Sequence, residues 1–299
     1  MGVIKRVVKP VTHKGKKVLQ SRAPKIIEDP KKTLFLKGRK ASQYLQNVMK
    51  DLYLLKSPGC IMRNKKHDLV PMEDPTLLEI LTKRNDCSLF MFGSHTKKRP
   101  NNLIIGCTYD EHILDMFEFE VTNFKSLAEF KNEKVTQGIK PCLIFSGPIW
   151  EQSPQFTRIK SLLIDCFQRE QVEAIRLQGL EHVINFIVTP DNKILFRSYR
   201  IQLKKSGCKT PRVELEEIGP AFDLTLRRTK EASDDLFKRS LKQPRELKTT
   251  VKKNVSRDKL GSTHGRVHLG KQNIQKIQTR KMKGLKKSSK KNKKVVKKV

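Results

Sequence analysis

The sequence predicts an α/β domain carried between two disordered, strongly basic arms. Three observations lead there. First, charge is segregated along a chain of 64 Lys and Arg against 30 Asp and Glu. Residues 1–40 hold 13 basic side chains against Glu28 and Asp29, and residues 245–299 hold 20 against Glu246 and Asp258, while residues 41–244 keep 31 against 26. Second, this nearly balanced middle mixes helical periodicity with short continuous apolar runs, the pattern of helices packed on a sheet. Third, the flanks are too poor in apolar residues to fold alone and well suited to neutralising a polyanion, of which a phosphate backbone is the usual one. The expected boundaries are an arm at 1–33, a domain at 34–240 and a tail at 241–299.

The arm reads as mostly extended, broken by Pro10, Pro24 and Pro30. Residues 41–56 read as a helix, with Leu45, Val48, Met49, Leu52 and Leu55 at helical spacing and Ser57-Pro58-Gly59 as its stop. A second helix opens at Asp74-Pro75 and carries Leu77, Leu78 and Leu81. Residues 87–92, 102–107 and 141–146 are short apolar runs, expected as strands buried on both faces. Between the first two lies the basic loop 95–100. Residues 157–170 give the clearest helix, with Ile159, Leu162, Leu163, Cys166 and Phe167 on one face. An antiparallel meander follows: a strand at 182–189, a turn at Pro190-Asp191-Asn192, and a long strand at 193–203. The apolar positions of that strand switch from even to odd, which predicts a bulge near Ser198. Strands at 210–216 and 221–226 and a short helix from Ser233 complete the domain. Gly147-Pro148 and Gly219-Pro220 close two stretches of similar make-up, a hint of a duplicated α/β unit.

Several classes are disfavoured. The six cysteines are scattered singly without a Cys-x-x-Cys pair, which argues against structural zinc and for reduced, buried thiols in an intracellular compartment. The basic start lacks an apolar h-region, and no run approaches 18 apolar residues, so neither a signal peptide nor a membrane partner is expected. No phosphate-cradling loop, dinucleotide fingerprint or nucleophile elbow is present, and no cofactor is expected. His264 and His268 are four apart but lie in the tail without a neighbouring carboxylate, and are expected to be solvated or to touch RNA. The acids at Asp110-Glu111, Glu118/Glu120 and Glu214/Glu216/Glu217 could hold Mg²⁺ in a nuclease; a strand face and a solvated or partner-pairing edge are the simpler expectations.

The basic steps Lys97-Lys98-Arg99, Lys204-Lys205 and Arg227-Arg228 each sit at a strand end, and could converge on one positive surface. In the tail, Lys281, Lys283, Lys286 and Lys287 are further candidates for RNA contact. One Trp and four Tyr do not make a stacking platform, so backbone and shape contacts with structured RNA are expected.

Two long stretches resemble a known family. Residues 87–95, Cys-Ser-Leu-Phe-Met-Phe-Gly-Ser-His, with Lys97-Lys-Arg-Pro-Asn-Asn-Leu103, resemble the first half of a Brix domain. Phe196–Arg200, Leu203–Cys208, Glu214–Pro220 and Phe222–Arg228 resemble its closing motif. The resemblance covers most of the chain, through Gln278–Lys287 in the tail. It implies two similar α/β halves, at about 34–150 and 151–240, each like an anticodon-binding domain. It also implies a nucleolar factor of large-subunit assembly that binds 5S rRNA and large-subunit pre-rRNA. Such a factor would form a heterodimer with the regulator of ribosome synthesis and recruit the 5S ribonucleoprotein, with its two ribosomal proteins, without catalysis. The alternatives are a stoichiometric ribosomal protein and the Mg²⁺-dependent nuclease.

Overall fold

The computed structural model describes residues 10–23, 30–170, 175–176, 179–208, 210–243, 245, 252–258, 260–271 and 273–276. They belong to two compact units, residues 1–244 and 245–299. In chain order the first unit contains α1 (His13–Arg22), β1 (Thr33–Gly38), α2 (Gln43–Lys56), β2 (Cys60–His67), α3 (Thr76–Asn85), β3 (Leu89–Ser94), β4 (Asn102–Tyr109) and β5 (His112–Lys125). It continues with β6 (Cys142–Ser146), α4 (Ile149–Gln152), α5 (Pro154–Phe167), β7 (His182–Val188), β8 (Lys193–Lys204), β9 (Arg212–Glu217), β10 (Ala221–Lys230) and α6 (Asp234–Ser240).

The strands form one mixed sheet in the order β2-β1-β3-β4-β5-β10-β8-β7-β6, with β9 also paired to β8. β1 lies parallel to β3, which continues antiparallel into β4 and β5. β6 likewise lies parallel to β7, which continues antiparallel into β8 and β10. The same connectivity thus occurs twice, and the two runs meet where β5 pairs antiparallel with β10.

Alternation explains the layering. In β1, β3, β4 and β5, Phe35, Leu89, Met91, Leu103, Ile105, Phe117 and Phe119 enter one core, shared with Leu45, Val48, Met49 and Leu52 of α2. Leu34, Leu36, Phe90, Phe92, Ile104 and Met116 enter a second core on the opposite face, capped by Leu78 of α3. In the second run α5 covers the first face with Ile159, Leu162, Leu163, Cys166 and Phe167, against Ile184, Phe186, Ile194, Phe196, Phe222 and Leu224. The reverse face there is not sealed: Ile144, Leu203, Val213 and Leu215 are exposed.

The helices at 41–56 and 157–170 and the strands at 87–92 and 102–107 stand close to their expected places. Other expectations need correction. The N-terminal arm is not extended throughout: Thr12 Oγ1 accepts from Gly15 N at 3.1 Å and starts α1. Leu77 is exposed rather than packed, because α3 turns only one face inward. β6 is half-buried, since it is an edge strand rather than one enclosed on both sides. β8 carries no bulge at Ser198; its register with β7 is unbroken, from Arg200 opposite His182 to Ile194 opposite Val188. The irregularity is in the facing chain, where β9 gives way to β10 at Ile218-Gly219-Pro220 and Ile218 N donates to Ser198 O at 3.1 Å. Gly219 has φ 72°, and a Cβ there would meet the Phe130 ring at 2.4 Å, so the turn requires glycine. Cys208 is exposed and Cys60, Cys107 and Cys142 are half-buried, leaving Cys87 and Cys166 as buried thiols.

The second unit, read from sequence as disordered, holds a hairpin of β11 (Val255–Arg257) and β12 (Thr263–Gly265). Asp258 N donates to Ser262 O (2.9 Å) across its turn, and a 3-10 turn lies at Ile274–Lys276. A hairpin needs only this local hydrogen bonding, which apolar content does not reveal.

His182 supplies a pH test. Its ring is buried, Nε2 lies 2.8 Å from Ser198 Oγ, and burial, helped by Arg169, pushes its pKa down to about 4. Between about 4 and the ordinary 6.5 the unfolded chain binds this proton and the folded chain does not. The stabilisation is therefore complete above about pH 6.5 and lost as pH falls towards 4, on the order of 3 kcal/mol. Denaturant titrations at pH 7 and 4.5 should show a smaller acid loss in His182→Gln than in the parent; equal losses would remove His182 as the cause.

Candidate nucleic-acid interface

The turn joining β3 to β4 is tightly built. His95 N donates to Lys40 O at 2.7 Å, and Thr96 and Arg99 exchange backbone hydrogen bonds of 3.0 and 3.1 Å. Asn101 closes it with φ 42° while its amide donates to His95 Nδ1. Lys97 and Lys98 are exposed at the tip. Arg99 turns towards Glu118 of β5, with 3.8 Å between Nη1 and Oε1.

β10 reaches the same place from far along the chain. Its register against β5 shifts between Leu226 and Arg228, so consecutive arginines reach two carboxylates of one β5 face. Arg228 Nε donates to Glu118 Oε2. Arg227 Nη2 lies 2.8 Å from Glu120 Oε1, and its Nη1 donates to Pro100 O at 3.1 Å. Glu118 is fully buried and also accepts from Asn102 Nδ2 at 2.6 Å. A carboxylate without solvent needs such partners to offset the cost of its burial. The structure thus gathers three arginines, Arg99, Arg227 and Arg228, around Glu118 and Glu120, and the same turn carries Lys97 and Lys98 exposed at its tip.

Lys204 and Lys205 do not join them. Lys193, at the start of β8, pairs with Thr225 of β10, and β8 then runs away from Arg228. Lys204 lies about eleven residues farther, roughly 36 Å at ~3.3 Å per residue. There Lys204 Nζ donates to Glu214, a contact that raises the lysine's pKa and lowers the glutamate's, and Arg212 Nη2 is 2.8 Å from Glu214 Oε1. The expected single surface through all three basic steps is therefore not formed; strand direction separates them. Lys281, Lys283, Lys286 and Lys287 lie outside the described residues.

Four acids of the nuclease alternative are held by cations: Glu118 and Glu120 as above, Glu214 by Lys204 and Arg212, and Glu111 by Lys83 at 2.5 Å. Among the described residues no group of three or more His, Cys, Asp or Glu side chains could hold a metal ion. His268 Nε2 lies 3.1 Å from Asn254 Oδ1. Sequence reasoning missed Arg39 and Lys40, which follow β1 and line a cavity with Arg99 and Arg228. Their signal is a further basic step after a strand, masked because β1 is short and has Lys31 and Lys32 before it and Lys37 within it.

Comparison with known proteins agrees over nearly the whole chain. Residues 38–228 match the Brix domain. The ribosome production factor 2 homolog of Drosophila melanogaster is 54% identical over 95% of this chain and 88% of its own length. The human ribosome production factor 2 homolog is 51% identical over 89% of this chain and 86% of its own. The ribosome biogenesis protein RPF2 of Saccharomyces cerevisiae is 39% identical over 94% and 85%.

Proposed function

The chain belongs to the Brix domain family, and from that premise we propose that it is a non-enzymatic assembly factor that binds rRNA and delivers the 5S ribonucleoprotein to precursors of the large subunit. It is a ribosome biogenesis protein, as its relatives are. Its domain would span 34–240, each half resembling an anticodon-binding domain, a reading supported by the repeated connectivity. The observation that supports the RNA reading is that Arg99, Arg227 and Arg228 gather around Glu118 and Glu120 next to the turn that exposes Lys97 and Lys98. The second unit adds 20 basic side chains against two acidic ones. In this reading 5S rRNA and pre-rRNA meet these surfaces, and the factor works in the nucleolus.

The protein partner, a regulator of ribosome synthesis in this reading, would dock on the unsealed sheet face of the second half. Ile201 pairs with Leu215 and Leu203 with Val213 there, and Val213 and Leu215 are 57% and 52% exposed. Apolar pairs left open on a strand pair favour a protein partner over water. Val213→Asp with Leu215→Asp should abolish co-purification with that partner and leave RNA affinity unchanged; retained co-purification would move the interface elsewhere.

Salt dependence tests the RNA reading. Log affinity of the full chain for 5S rRNA should fall linearly with log salt, by roughly 0.7–0.9 per neutralised phosphate. Removing residues 245–299 should flatten the slope and leave the first unit folded. An unchanged slope would take the tail out of RNA contact.

A further inference from the structure

Beside the clamp on Glu118 is a cavity of about 460 Å³. It opens where the parallel strands β1 and β3 end, at Gly38 and Ser94. Crevices outside the carboxyl ends of parallel strands are where open α/β sheets take ligands. Three properties of this one narrow its occupant. Four cations line it, Arg39, Lys40, Arg99 and Arg228, against the carboxylates of Asp68 and Glu118. That leaves two positive charges in excess. Arg39 and Asp68 stand 3.5 Å apart with both side chains about three-quarters exposed, so this pair opens at little cost. Val70, Met72 and Ile104 supply an apolar wall.

The third property is Asn102, 3% exposed and part of the lining. Its Nδ2 is committed to Glu118 at 2.6 Å and Ser94 Oγ at 3.4 Å. Its Oδ1 is buried without a hydrogen-bond partner. Turning the amide over would set Oδ1 against the Glu118 carboxylate, so the oxygen is the atom left to accept. A buried acceptor without a donor is destabilising until one arrives.

We propose that this cavity holds one unpaired nucleotide of an RNA strand. The base lies on the apolar wall and donates an N–H of its edge to Asn102 Oδ1, and the adjoining phosphates lie between Arg39, Lys40 and Arg99. A duplex cannot enter, because its bases are stacked and paired, whereas a splayed nucleotide presents both its edge and its phosphate. The inference rests on the RNA-binding reading above and adds to it a site that separates single-stranded from duplex RNA.

The test uses the full chain and two probes, a 5′-phosphorylated single-stranded tetranucleotide and a blunt 12-base-pair RNA duplex, at about 150 mM salt. Val70→Trp fills the cavity without changing charge. It should weaken tetranucleotide binding at least tenfold and leave duplex affinity within twofold. Should Val70→Trp fail to fold, the smaller Val70→Phe, on a side chain that is 48% exposed, should produce the same selective loss without changing charge. Parallel losses for both probes, or none for either, would overturn the nucleotide site while leaving RNA binding intact. Failure of the unmodified chain to bind either probe would overturn the RNA-binding reading itself. Displacement of the tetranucleotide by a glutamate-rich peptide, sensitive to Val70→Trp while tetranucleotide affinity is not, would assign the cavity to a protein ligand.

Discussion

Replacing Arg158 with alanine should destabilise the first unit by about 3–5 kcal/mol. Arg158 projects from α5 with 12% of its side chain exposed and serves five partners, one of them Glu231, whose Oε2 lies 3.8 Å from Nε. Nη1 donates to Asp115 Oδ1 at 3.3 Å and to Ala232 O at 2.8 Å, and Nη2 to Asp234 at 2.8 Å. Its guanidinium also lies 4.6 Å from the centre of the Phe237 ring. Asp115 is the reason the loss is large: it is 4% exposed, and its other partner is the Ala232 amide at 2.8 Å. Without the guanidinium it is a buried charge lacking its counter-ion. Arg158→Leu combined with Asp115→Leu should recover part of the loss, since both charges are then gone. Equilibrium denaturation decides it: equal destabilisation by the single and double changes would mean that the charge pair is not what holds α5 to β5 and α6.

Leu224→Ala should cost about 2–5 kcal/mol, as other buried leucines do when a cavity is left behind. Leu224 is 1% exposed and sits at the seam of the two repeated runs, opposite Val121 of β5 and Ile194 of β8. Two residues away, Phe222 stacks on Phe196 with 4.4 Å between ring centres. The denaturant midpoint should fall with the slope unchanged, since the folded state still buries the same overall surface. An unchanged midpoint would show that the seam between β5, β10 and β8 is not a packed core.

What can be read from sequence follows from how local each cause is. α2 and α5 are legible because each turns one apolar stripe to the sheet, and β3 and β4 because enclosure on both faces makes an unbroken apolar run. β5 is legible only in part: Glu118 and Glu120 alternate with Phe117, Phe119 and Val121 as a strand face does, but what the two acids pair with is not local. Their counter-charges, Arg228 and Arg227, lie more than a hundred residues away and meet them only through strand pairing. α1 starts from a threonine cap, a feature that apolar periodicity does not register. The bulge expected in β8 is a related error. The change of apolar face near Ser198 is real, but its cause is a change of neighbour from β10 to β9, with the extra residues in the facing chain.

The candidate interface divides in the same way. Clustering of Lys97–Arg99 with Arg227-Arg228 is legible as two basic steps, but the second, expected just after a strand ending at Leu226, lies inside β10, which pairs with β5 as far as Lys230. The exclusion of Lys204-Lys205 is not legible, because the direction in which β8 leaves the shared end is a property of the sheet. The orphaned Asn102 oxygen has no sequence signature at all, since it arises from what Glu118 and Ser94 take from the other half of the same amide.

RNA binding through the sheet end that carries the 95–101 turn, together with the basic second unit, is the central claim. Ultraviolet crosslinking of the full chain to RNA in isolated large-subunit precursors, followed by mapping of the crosslinked peptides, tests it most directly. Crosslinks are expected on peptides spanning 95–101 and on peptides within 245–299, and none dominated by the 204–212 hairpin tip. Crosslinks confined to that tip, or absent from the chain in particles that contain it, would contradict it.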